Sequence, residues 1–138
     1  MATIRSFTDL KQSKKLAQIL PLESADMRYG YIAPYEYSDR MYDGGYDEIP
    51  YPKDFLIKNP NFSANEYEAE LPCWSLAAML DALPSNLQLA LAINDYQGDI
   101  KERYAIGSVN SDIYDCYADN PVDACYEMII KLHEQNLL

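Results

Sequence analysis

Ile113-Tyr114-Asp115-Cys116-Tyr117-Ala118-Asp119-Asn120-Pro121-Val122-Asp123-Ala124-Cys125-Tyr126-Glu127-Met128-Ile129-Ile130-Lys131-Leu132 is the stretch in which one kind of element gives way to another. Ile113 to Ala118 reads as a strand. Asn120 then offers a side-chain oxygen to the unpaired N–H groups that open a helix, Pro121 is preset for the first helical position, and Asp123 puts negative charge near the positive end of the helix dipole. Val122, Cys125, Met128, Ile129 and Leu132 recur at helical spacing, so they form one buried stripe. A strand running straight into a capped, amphipathic helix predicts an α+β fold.

Working back from that stretch, Arg103 to Val109 is a strand that returns from a turn at Tyr96-Gln97-Gly98-Asp99. Leu87, Leu89, Leu91 and Ile93 alternate with Gln88, Ala90, Ala92 and Asn94, as a strand requires, but the alanine-rich run after Ser85 also fits a helix; over residues 87–95 both readings stand. Pro72 or Ser75 opens a helix whose stripe is Leu76, Met79, Leu80 and Leu83, and Pro84 ends it. Trp74 anchors the core just before that stripe. At the other end of the chain, Ser6 or Thr8 caps a helix over about residues 7–20, with Asp9 in its first turn and Pro21 after its end. Phe7, Leu10, Ala17 and Leu20 share its apolar face, and Lys11, Lys14 and Lys15 face away.

Between these regions lies Tyr29 to Tyr67, which holds eight of the thirteen tyrosines, four prolines and Gly44-Gly45. Proline and glycine at that density break long elements, so the segment is read as irregular, with short strands between turns. Met27 to Ile32 has the alternation and aromatic content of one such strand. Tyr51 to Leu56 fits either a short helical turn or an extended piece. With 138 residues the chain has the size of one domain, since domains run to roughly 100–150 residues. The expectation is a small antiparallel sheet packed against two or three helices: a helix over about 7–20, a Tyr/Pro-rich irregular segment over 29–67, and a helix-sheet-helix core over 71–134.

Charge narrows the function. The net charge is −11, distributed as +3 over residues 1–15, −4 over 16–65 and −10 over 66–138. Phosphate neutralisation needs a basic surface, so binding to bare nucleic acid or to an anionic membrane is not expected. No apolar run approaches the ~20 residues that span a bilayer, and Met1-Ala2-Thr3-Ile4-Arg5 has no apolar secretion core, which predicts a cytoplasmic protein.

Cys73, Cys116 and Cys125 are an odd number of cysteines, read as free, buried thiols. A zinc site would need all three together with His133, the single histidine, at spacings unlike any zinc motif. His133 lies in a polar tail beside Glu134 and Gln135, a poor place for the base of a nucleophilic pair. Neither phosphate-cradling glycine motif occurs, and Asp43-Gly44-Gly45-Tyr46-Asp47 lacks the ligand spacing of a calcium loop. The acid pairs Asp47/Glu48 and Asp95/Asp99, and the alternating Glu66, Glu68 and Glu70, are read as solvated, although the alternating set has the type of ligands a divalent cation takes. No metal and no cofactor is expected.

Gln12-Ser13-Lys14-Lys15-Leu16, Leu20-Pro21, Ala25-Asp26-Met27, Leu71-Pro72-Cys73-Trp74-Ser75-Leu76 and Asn120-Pro121-Val122-Asp123-Ala124, in that order, resemble a family of short uncharacterised proteins from gut Bacteroidetes genomes, their phages and their conjugative elements. The resemblance spans both ends and the middle of the chain and omits Tyr29 to Tyr67. It implies a setting rather than a chemistry, namely an accessory gene of a prophage or mobile element in a bacterial cytoplasm.

The tyrosines carry the functional expectation. A tyrosine offers a large contact area, few rotatable bonds and one polar tip, which suits it to interfaces. Eight in 39 residues, interleaved with Glu36, Asp39, Asp43, Asp47 and Glu48, exceed what a small core absorbs. Tyr35, Tyr37, Tyr42, Tyr46 and Tyr51 are therefore the candidate surface of a non-enzymatic protein that binds another protein. A small carboxylate-based or metal-dependent hydrolase and an acidic nucleic-acid mimic are the alternatives.

Overall fold

The computed structural model describes residues 5–55, 69–91, 103–108 and 114–138. They form an α+β fold with three α-helices, as expected, and the strands are divided among three small antiparallel sheets rather than gathered in one. The chain divides into two compact units: Asp9–Trp74, and the residues up to Thr8 together with Ser75–Leu138.

In the Asp9–Trp74 unit, α1 covers Leu10–Leu16 and is shorter than its sequence signals promise. Its cap is Asp9 rather than Ser6 or Thr8. Asp9 Oδ1 accepts from the Gln12 N–H at 2.7 Å, and the Asp9 N–H donates to Gln12 Oε1 at 3.1 Å, so two orphan donors are satisfied reciprocally. Residues 6 and 7 are engaged elsewhere: Ser6 carbonyl accepts from the Leu76 N–H at 2.9 Å, and Phe7 bridges to Ser75. Lys11, Lys14 and Lys15 are exposed as expected, while the buried face is Leu16 with the polar Gln12 and Ser13.

A single 3-10 turn at Leu22–Ser24 leads into β1 (Met27–Ile32), the centre of this unit's main sheet. The described part of the tyrosine segment supplies further short strands: β2 (Tyr35–Tyr37), β3 (Arg40–Tyr42), β4 (Gly45–Tyr46) and β5 (Tyr51–Pro52). On one side β1 pairs with β6 (Ala69–Cys73) along its length; on the other it pairs with β4 at Tyr31 and Ile32 and with β5 at Met27 and Arg28. Leu71-Pro72-Cys73 is thus strand, and helix formation waits until Ser75. Pro72 and Pro52 both lie in outer strands, where a missing N–H is tolerated. Trp74 is fully buried, its Nε1 donating to Ser24 Oγ at 2.9 Å, and Tyr29, Leu16, Ala25 and Cys73 are buried in the same unit.

In the other unit, Ser75 caps α2 (Leu76–Ala82), its Oγ accepting from the Ala78 N–H at 3.2 Å. Met79 and Leu83 are buried, whereas Leu80, assigned to the same stripe, is exposed. β7 (Leu87–Leu91), β8 (Tyr104–Ser108) and β9 (Tyr114–Ala118) form an antiparallel meander, which settles residues 87–91 as strand; residues 92–95 lie outside the described residues. α3 (Pro121–Glu134) packs on β8, β9 and α2. Asn120 caps it as read, accepting from the Val122 N–H at 2.9 Å, and Asp123 in its first turn pairs with the Arg5 guanidinium. Val122, Cys125, Met128 and Ile129 are buried with Ile106, Cys116 and Ala118 of the sheet, and Leu132 is half-buried.

No helix among the described residues is long and apolar enough to cross a membrane.

A candidate protein-binding surface

β2 and β3 form a ribbon of their own, joined by the two-residue turn Ser38-Asp39. Tyr35 opposes Tyr42, Glu36 opposes Met41, and Tyr37 opposes Arg40. Cross-strand partners share a face, so Tyr35, Tyr37, Arg40 and Tyr42 lie on one side and Glu36 and Met41 on the other. All six residues are exposed, Tyr37 at 75% and Met41 at 61%. The rings of Tyr35 and Tyr42 sit 5.0 Å apart and tilted by 36°, a favourable aromatic arrangement that holds the two strands in register. Among the described residues no other strand pairs with either edge of the ribbon. Glu36 and Met41, with the turn residues and Arg40, line an open concavity of about 550 Å³.

The candidate tyrosines therefore divide into two groups. Tyr35, Tyr37 and Tyr42 are on the ribbon. Tyr46 is half-buried on β4, where its ring lies 5.1 Å from that of Tyr31 and the Lys14 ammonium stands 5.5 Å from its centroid, a cation-π distance. Tyr51 is half-buried on β5, 6.0 Å from Phe55. Tyr67 lies outside the described residues. Two exposed apolar side chains of this region went unsingled in the sequence: Met41, and Ile49 at 77% exposure. The signal that finds Met41 is local, two short aromatic-bearing runs separated by two polar residues, which is a hairpin pattern.

The surroundings are acidic. Over residues 33–49 there are five acids and one base, Arg40. Glu36, Asp39, Asp43 and Glu48 are exposed.

Elsewhere the described residues give reactive chemistry little footing. The three cysteines are buried and form no disulfide, and burial pushes the Cys125 thiol up to about 12, which keeps it protonated and a poor nucleophile. His133 is exposed in the last turn of α3, eight residues beyond Cys125, or about 12 Å along the axis at 1.5 Å per residue. Of the alternating glutamates, Glu70 is on β6 with an oxygen 3.9 Å from Arg28 Nε; Glu66 and Glu68, like Asp95 and Asp99, lie outside the described residues. Among the described residues no three His, Cys, Asp or Glu side chains gather as a metal site would require.

The chain matches no protein-family model, no curated protein and no solved structure.

Proposed function

We propose that this chain is a non-enzymatic protein-binding protein that engages its partner through the tyrosine face of the β2–β3 ribbon. The observation that carries the reading is the exposure of Tyr35, Tyr37 and Tyr42, at 50%, 75% and 43%, on one face of a two-stranded ribbon. Such a ribbon is marginal by itself in water, and exposed aromatics concentrated on one element are characteristic of binding surfaces. The sequence resemblance adds a setting, in which the protein serves a bacterial mobile element or prophage and acts on a host or element-encoded protein.

The test is affinity capture by the full chain and by its Tyr35→Ala/Tyr37→Ala variant, each first checked for an unchanged melting temperature. A partner that binds the parent and is depleted at least tenfold with the variant supports the reading. Equal recovery by both chains removes the ribbon from the function.

A further inference from the structure

We propose that the tyrosine face of β2–β3 receives a lysine- and arginine-rich segment of the partner protein. This rests on the protein-binding reading and specifies the chemistry of its occupant. Three observations converge on it. The first is the aromatic face itself. A tyrosine ring presents a negative face that attracts an ammonium or guanidinium group, and the exposed Tyr35, Tyr37 and Tyr42 offer three such rings over a span of a few residues. The second is charge: Asp39 in the turn and Asp43 just after the ribbon are exposed, and Glu36 is exposed on the face opposite the tyrosines, in a stretch of net −4 within a chain of net −11. That field draws a basic segment and repels an acidic one, and it accelerates encounter. The third is the chain's own use of the same chemistry, since Lys14 stands 5.5 Å from the Tyr46 centroid one strand away along the sequence.

Arg40 gives the proposal its sharpest consequence. It is the one base in residues 33–49 and it shares the face with Tyr37, its cross-strand partner. A basic occupant is opposed by this charge and an acidic one is helped by it. Removing Arg40 must therefore strengthen binding of a basic segment.

The experiment is a fluorescence-anisotropy titration of the full chain with three labelled peptides of equal length. One alternates lysine and arginine with glycine, the second is the same peptide with acetylated lysines and citrullines, and the third replaces the cations by glutamate. The expected result is saturable binding of the cationic peptide alone, weakened at least tenfold by Tyr35→Ala/Tyr37→Ala, retained in Tyr35→Phe/Tyr37→Phe, and tightened severalfold by Arg40→Ala. Absence of cationic-peptide binding overturns the proposal, as does binding that ignores the tyrosine-to-alanine change, which would mark a diffuse acidic field, or binding that weakens in Arg40→Ala. Failure here leaves the broader reading testable: a natural partner lost with the tyrosines but not displaced by the cationic peptide keeps protein binding and rejects the basic occupant.

Discussion

Gly44 holds φ at +80°, and a Cβ built there would stand 2.7 Å from the Ile32 carbonyl oxygen and 2.8 Å from Pro34 N, both fixed backbone atoms. Gly45 also has a positive φ, +146°, but open space where its Cβ would go. Backbone strain thus acts at both positions and collision at Gly44 alone, so Gly44→Ala is expected to cost about 2 kcal/mol or more and Gly45→Ala distinctly less. Urea unfolding of the two variants checks the order, and a larger loss at Gly45 would refute this account of the turn. Cys125 ties folding stability to alkaline pH. Its folded value of about 12 lies above an ordinary thiol value near 9, so the unfolded chain releases this proton first as pH rises. The stability due to the protonated, buried thiol is complete below pH 9 and is lost between about pH 9 and 12, at up to about 1.4 kcal/mol per unit. Cys125→Ala removes that dependence while leaving the tyrosines to titrate in both proteins. The difference in unfolding free energy between parent and variant should therefore shift with pH above 9; a difference constant from pH 8 to 11 would show that the thiol ionises as easily folded as unfolded.

At the scale of elements, legibility follows how local each decision was. α3 was readable because its cap, its proline, its first-turn acid and its apolar stripe all lie within Asn120 to Leu132 and agree with one another. α1 was misplaced at its start because Ser6, Thr8 and Asp9 are all good caps. The choice fell to Asp9 through the reciprocal Gln12 bond and through the engagement of residues 6 and 7 with Ser75 and Leu76, which are distant in sequence. Between Pro72 and Ser75 as the start of α2 the choice is likewise nonlocal: pairing of Leu71 to Cys73 with Tyr29 to Met27 selects Ser75, and no neighbouring residue records that pairing. Within the tyrosine segment the composition was plain, but the sorting of rings was not. Tyr29 is 2% exposed and Tyr37 is 75% exposed, although both sit in short alternating runs, because only one of those runs lies in the main sheet. The two roles separate on mutation. Tyr35→Ala/Tyr37→Ala is expected to change folding stability by no more than about 1 kcal/mol, whereas Tyr29→Ala should cost roughly 3–5 kcal/mol. Thermal unfolding of both variants decides the matter, and a large drop for the ribbon pair would mean that the ribbon is a stability element rather than a surface.

Over the whole molecule the sequence disclosed class and charge far more readily than topology. Periodicity marks where strands are, whereas β1 takes its neighbours from residues 45–46, 51–52 and 69–73, an arrangement in which each strand is too short to carry a partner's address in its own pattern. Charge needs no topology to act. With 22 acids against 11 bases the chain meets a polyanion with repulsion at most points of approach, and the cluster of Lys11, Lys14 and Lys15 on α1 is too small to reverse this once Lys14 is held over Tyr46. Nonspecific DNA binding draws its strength from counterions released as several cations neutralise phosphates, so a chain with three clustered lysines and a net charge of −11 is expected to show no measurable affinity for duplex DNA at ~150 mM salt. An anisotropy titration with a labelled duplex tests this, and micromolar binding at that salt would defeat it. The same charge also separates protein binding by the ribbon from mimicry of nucleic acid. A mimic acts through its overall acidic field, so its partner should dissociate steeply with salt and tolerate Tyr35→Ala/Tyr37→Ala, whereas an aromatic surface loses its partner with those two rings and retains part of its affinity in high salt, where charges are screened but ring contacts are not.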